Sequence, residues 1–405
     1  VMLNIHEPNN VDNSVPLWRL GFRPFFLGGA IVATLWIPLW LWAWYSPQTL
    51  PLFSSEFWSP VVPLWWHPHE MLFGFGMAIV AGFLLTASQT WTNQPGLKGP
   101  ALAILVGCWA IARILLLVPL ALPLWLPALF DSAFLLLTAL KLMTMVVKVK
   151  QWRNVALPLL LLFALGLNLL SYWALSERNL VLSFTIWQGM LMWMALLMSF
   201  MGGRVIPFFT AARLKLDKKP AWPWLDWSIF VVLALLAIQV LTEWLPSQLE
   251  LGLLLYGGAA QLLRQSRWHA EKCAKEPLLW SLHLAYLMIP LALLGMALYH
   301  GDPLASRQFL HLLAVGAMGG MILAMIARVS LGHTGRNLYQ GPNMAPAFIS
   351  IFAAALIRGV LPTLAPEWTQ LWHWLSGSLW SIAFGLFLFY YLPFLTSARV
   401  DGRPG

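Results

Sequence analysis

Nine histidines are spread through a chain of 405 residues that carries few charges, only 10% of its residues being Asp, Glu, Lys or Arg. Two of them form the motif His67-Pro68-His69-Glu70. Neutral imidazole is a common ligand for zinc, copper and haem iron, and a carboxylate at a helix start is favoured by the positive end of the helix dipole. On a regular helix His67 and Glu70 share one face and His69 points elsewhere, so the motif is able to serve two neighbouring sites. His311 is a third member. The pattern His69-x4-Gly74-x-Gly76-Met77 is echoed by His311-x4-Gly316-x-Met318-Gly319, with glycines opening a helix face beside each histidine. The plainer alternative is that these polar side chains snorkel to an interface.

The elements that position these groups follow from composition. The chain is 60% hydrophobic with 25 Trp and a mean hydropathy of +0.73, whereas a soluble domain is about 25% charged. Apolar runs of about 20 residues, the length that crosses a hydrocarbon core, recur throughout. They fall near 22–45, 67–90, 99–118, 122–147, 155–175, 179–202, 224–244, 247–264, 277–299, 305–332, 344–363 and 367–396. The fold class expected is therefore all-α, a polytopic membrane protein of about twelve transmembrane helices, and continuous rather than alternating runs exclude a β-barrel. Residues 1–405 form one helical membrane domain in this reading, with a pseudo-boundary between six-helix halves near 203–221. Cys108 and Cys273 are too few for a disulfide framework.

With spans alternating in direction, Arg178 and Arg307 lie on one side, Arg113 and Arg358 lie within spans, and all other Lys and Arg lie on the opposite side. The positive-inside rule then puts both termini in the cytoplasm. The net charge of +9 is absorbed by topology, and no nucleic-acid partner is implied; the lipid bilayer is the partner.

Depth along the spans, at 1.5 Å per residue, places His67, His69 and Glu70 within about 5 Å of the outer boundary, His311 roughly 9 Å down, and Arg113, Asp131 and Arg358 at about 9–12 Å. Intramembrane ionisable groups are functional candidates by default. Arg113 and Asp131, on consecutive antiparallel spans, suit a structural ion pair, and Arg358, with no carboxylate at its level, suits a bound anion such as a haem propionate or a substrate. His300 and His373 cap spans on the same side. His283 and His333 sit toward the cytoplasm with Arg204, Arg328 and Arg336, where a second metal site competes with simple interfacial anchoring. The methionines from Met190 to Met201 read as packing.

Four stretches carry a family resemblance: Arg19-Leu20-Gly21-Phe22-Arg23-Pro24-Phe25-Phe26, Trp66-His67-Pro68-His69-Glu70-Met71-Leu72-Phe73-Gly74-Phe75, Gly203-Arg204-Val205-Ile206-Pro207-Phe208-Phe209-Thr210, and Arg328-Val329-Ser330-Leu331-Gly332-His333-Thr334-Gly335-Arg336. Together they resemble the NnrS family. The resemblance implies a bacterial inner-membrane protein that contains haem and copper and is linked to the response to nitric oxide and to nitrosative stress. This chain departs from the family in having Pro68 between the two histidines.

The expectation that follows assigns His67, His69 and His311 to a metal layer near the periplasmic face. His69 and His311 are the haem ligands, with Arg113 and Arg358 as cofactor-binding cations, and His67 with Glu70 forms the copper side. His300, His283 and His333 are further metal candidates. The small-molecule partner is nitric oxide or a related species, and enzyme, scavenger and repair roles stay open, including an oxidoreductase acting on nitric oxide or metal–nitrosyl species. The rival reading is a twelve-helix secondary transporter.

Overall fold

Apolar segments in hydrocarbon have no water to satisfy their backbone groups, so they close their hydrogen bonds internally as helices. A computed structural model of the chain describes residues 14–47, 62–117, 122–217 and 219–403. No strand occurs among the described residues. The long helices are α1 Phe22–Tyr45, α2 Pro63–Thr92, α3 Gly99–Leu117, α4 Trp125–Lys148, α5 Ala156–Ser176, α6 Leu180–Leu214, α7 Pro223–Thr242, α8 Ser247–Gln265, α9 Pro277–Leu298, α10 Pro303–His333, α11 Ala345–Gly359 and α12 Thr369–Thr396. Eleven helical segments are long and apolar enough to cross a membrane. The exception is α8, because Gln248, Glu250, Gln261, Arg264 and Gln265 give it a polar face that a simple apolar-run count passes over.

Two helices contain π-helical stretches. In α2 the stretch is Glu70–Gly76, directly after His67-Pro68-His69, and in α10 it is Leu312–Gly319, directly after His311. A π turn inserts a residue into the ladder and rotates the side chains that follow; such turns concentrate at functional sites. Pro68 explains the interruption of α2, since proline has no N–H to give to the preceding turn. No proline accompanies the stretch in α10, where Gly316, Gly319 and Gly320 relax the backbone instead.

The chain divides into two units. The first comprises Val1–Phe184, Val329–Gly341 and Leu388–Gly405, and the second Thr185–Arg328 and Pro342–Phe387. The core of the first unit is aromatic, with Phe22, Phe25, Phe26, Trp65, Trp66, Phe73 and Phe134 all fully buried. Close approach of α1 to α2 depends on Gly82, where a Cβ would stand 2.8 Å from Cβ of Phe25. At the start of α1 the buried Arg23 donates through Nη1 to the carbonyls of Phe394, Leu395 and Ser397, at 3.3, 2.9 and 2.7 Å. A cation thus satisfies the orphaned carbonyls at the end of α12, the negative end of its dipole. The following chain returns to the end of α10: Arg399 donates to His333 O at 3.0 Å and Val400 N–H to Thr334 O at 3.3 Å. Hydrogen bonds from Arg399 hold the Asp401 carboxyl down at about 2.

In the second unit α8 meets α9 through Gly257 and Gly258, which receive Leu293 and Leu294. The ring of Phe309 occupies the space left by Gly295, and Met288 that left by Gly316.

The glycines give the first test. Gly82→Val should destabilise the protein by about 1–3 kcal/mol through overpacking. Gly107→Ala, where nothing lies within 4 Å of the added Cβ, should be neutral or up to about 1 kcal/mol stabilising. Thermal unfolding in detergent measures both, and the reverse order would contradict the α1–α2 packing.

Candidate functional site

Six residues from four helices of the first unit gather around one guanidinium, that of Arg113 on a fifth. Arg113, on α3, enters the space left by the absent side chain of Gly74 in the π stretch of α2. Its Nη1 donates to Glu70 Oε1 at 2.7 Å and its Nη2 to Asp131 Oδ1, on α4. Trp36 Nε1, on α1, donates to Glu70 Oε2 at 3.0 Å, and Tyr172 OH, on α5, donates to Asp131 Oδ2 at 2.8 Å. His69 Nδ1 lies 3.2 Å from Glu70 Oε1, while its Nε2 faces Asn168 Oδ1 at 2.9 Å and Asp131 Oδ2 at 3.6 Å. His69, Glu70, Arg113, Asp131, Asn168 and Tyr172 are all buried.

Charge decides what this arrangement does. Two buried carboxylates against one guanidinium would leave a net negative charge in an apolar interior, which is costly. His69 lies between the two carboxylates, its Nδ1 against Glu70 Oε1 and its Nε2 against Asn168 Oδ1 and Asp131 Oδ2, so both ring nitrogens face oxygen atoms of the cluster. His69 is therefore committed to hydrogen bonds on both sides.

The expected Arg113–Asp131 pair is present, and Glu70 joins it. On a regular helix Glu70 would have shared a face with His67; the carboxylate instead meets His69 and Arg113. The π stretch begins at Glu70 and shifts the residues that follow it, Gly74 opposite Arg113 among them. The glycines beside the histidines do not open cavities, because Arg113 fills the space at Gly74, Met288 that at Gly316 and Trp380 that at Gly319. His67 is half-buried and stacks on Trp40, with ring centroids 4.2 Å apart, as His69 stacks on Trp65 at 4.2 Å.

The other predicted residues are dispersed. In the second unit His311 is half-buried at the end of the turn that leads into the π stretch, and Arg358 donates to Gln308 Oε1 at 2.7 Å, one turn before His311. The partner found for Arg358 is thus an amide oxygen. His300 Nε2 lies 3.7 Å from Glu250 Oε2, and His283 Nε2 lies 2.9 Å from Thr210 Oγ1. His373 is half-buried near the start of α12. His333 belongs to the first unit, where its ring lies 5.5 Å from that of Phe22. Cys273, in the loop after α8, is buried, and burial pushes its thiol up.

Among the described residues no group of three or more His, Cys, Asp and Glu side chains is arranged to hold a metal ion. The cluster around His69 and Glu70 does not fit a metal, since their donor atoms are taken by Arg113, Trp36, Asn168 and Asp131. Imidazoles outside it, such as His67 and His311, keep the chemistry a haem or copper ion requires.

Sequence reasoning missed Asn168, Tyr172 and Trp36. The first two were detectable, since a lone amide and a phenol four residues apart lie on one face of the otherwise apolar α5.

Breaking this cluster should be expensive. Arg113→Gln leaves two carboxylates with His69 alone and should lose about 3–5 kcal/mol of stability, more than Glu70→Gln or Asp131→Asn. The double Arg113→Gln, Asp131→Asn variant should lose less than the sum of its parts. Unfolding in detergent reads this, and simple additivity would contradict the pairing.

A sequence model of the family described as NnrS protein matches residues 16–399, nearly the whole chain. No curated protein matches it.

Proposed function

Because the chain belongs to the NnrS family, we propose that it is an inner-membrane protein of the nitric oxide response that binds haem and copper through histidines near the periplasmic face, with both termini in the cytoplasm. The observation that carries this reading is the pair of π-helical stretches, each entered directly from a histidine, in helices otherwise built to span a membrane. The two segments, one with proline and one without, share the same local geometry, and π turns recur at functional sites. Haem and copper supply one-electron chemistry toward nitric oxide and its metal–nitrosyl products.

The residues divide their roles accordingly. His67 and His311 would hold the metals. Trp40, stacked on His67, keeps that ring in one orientation. His69 and Glu70 serve as positioning residues: the His69–Glu70–Arg113–Asp131 cluster ties α2, α3 and α4 together and fixes the π turn that sets the direction of the helix beyond it. Arg358, with its planar donor fork, is suited to a carboxylate; its placement one turn from His311 through Gln308 supports contact with an anionic edge of a bound group. The transporter reading rests on helix number alone.

Purified protein should show a Soret band and contain copper. His67→Ala and His311→Ala should each lower haem or copper content, whereas His69→Ala should lower thermal stability more than metal content. A colourless, copper-free protein would favour the carrier, and full metal retention in both the His67 and His311 variants would sink the ligand assignment.

A further inference from the structure

Five buried polar side chains of the second unit, Ser199, Gln261, Arg264, Gln265 and His283, gather where α6, α8 and α9 meet. Arg264, in the last turn of α8, donates through Nε to Asp226 Oδ1 at 2.7 Å and through Nη1 to Ser199 O, Ser199 Oγ and Tyr286 OH, at 2.9, 3.1 and 3.1 Å. Gly203 makes room for the guanidinium and Gly202 for the Tyr286 ring, which gives the Gly202-Gly203 step of α6 a physical reason. Asp226 is 26% exposed and so carries this chain of contacts to the surface.

The inner end of the chain is incomplete within the protein. Tyr286 OH and Ser199 Oγ both donate to Gln261 Oε1. That fixes the orientation of the amide and leaves Gln261 Nε2, a donor only, buried with no hydrogen-bond partner among the described residues. One helical turn on, Gln265 Nε2 donates to His283 O at 2.6 Å, which fixes the second amide and leaves Gln265 Oε1, an acceptor only, in the same condition. His283 meets Thr210 through Nε2, and its Nδ1 is likewise buried and unpartnered. Buried polar atoms are nearly always hydrogen-bonded, and each exception needs an explanation. Here a donor and an acceptor belong to side chains four residues apart, hence on one face of α8, and Gln265 is tied to the residue that carries the third atom through His283 O. That is the complement of water, which donates and accepts and typically makes about three bonds to such groups.

We propose that α6, α8 and α9 enclose a file of internal water in the second unit, reached from the surface beside Asp226 and running past Gln265 to Gln261, that brings exchangeable protons into this part of the membrane domain. Trp268 roofs the file: it packs against Tyr286 at 4.6 Å between ring centroids and near His283 at 6.5 Å.

Radiolytic footprinting tests this, because hydroxyl radicals born from bound water oxidise neighbouring side chains however deeply they lie. The full chain in detergent is mixed rapidly with heavy-oxygen water, irradiated with a synchrotron pulse and read by mass spectrometry. Trp268, 7% exposed, and the fully buried Tyr286 should oxidise several-fold faster than the fully buried Trp65 of the first unit, and the added oxygen should be the heavy isotope. Oxidation no faster than Trp65 would show a dry interior, and oxidation with light oxygen alone would show trapped water without a path to solvent; either overturns the proposal. Gln261→Leu combined with Gln265→Leu should reduce both sites to the rate of Trp65, and undiminished labelling there would also overturn it. Should that variant fail to fold, Gln265→Met is read in its place and the wild-type measurement decides on its own.

Discussion

The first unit depends on keeping Arg113 and Asp131 buried together. Neither is tolerable alone in an apolar interior, and the guanidinium has donors to spare after one carboxylate is served. Glu70 takes the second prong, Trp36 and Tyr172 donate to the outer oxygens of the two carboxylates, and His69 faces Glu70 through one ring nitrogen and Asn168 Oδ1 through the other. One guanidinium thereby draws α1, α2, α3, α4 and α5 to a common point. Because a half-satisfied polar network is worse than none, the residues around it are tightly constrained: Gly74, within the π stretch of α2, must lack a side chain for Arg113 to enter.

That constraint explains why the His-Pro-His-Glu motif divides. His69 and Glu70 are drawn inward as a structural pair, and His67, one turn earlier and stacked on Trp40, stays outside the network. The second unit repeats the local device without the charge. A π stretch follows His311 and an arginine stands on the next helix, but Arg358 meets the amide of Gln308 where Arg113 meets two carboxylates. The weak sequence echo between the two segments thus has a structural counterpart in backbone geometry, while the polar chemistry around the two stretches differs.

Much of this was legible in the sequence. Segment lengths and the scarcity of charge suffice for an all-helical membrane protein, since hydrocarbon allows few other solutions. The Arg113–Asp131 pair followed from depth matching on consecutive spans. The partnership of Glu70 with Arg113 did not, because depth along the spans places Glu70 several ångströms shallower, a gap that two long side chains close. The polar cluster of α8 and α9 was hidden for a different reason: Gln261, Gln265 and Tyr286 are uncharged, and a search for ionisable residues passes over amides that become informative only when their partners are seen.

The central claim is that the histidines divide by role, His69 to the buried charge cluster and His67 and His311 to the metals. Electron paramagnetic resonance of the copper-loaded protein, with its histidines labelled by heavy nitrogen, tests it directly. The account predicts imidazole hyperfine structure that changes in His67→Ala or His311→Ala and persists unchanged in a folded His69→Ala protein. Loss of the imidazole signal in His69→Ala alone, with the other two variants unaffected, would contradict it.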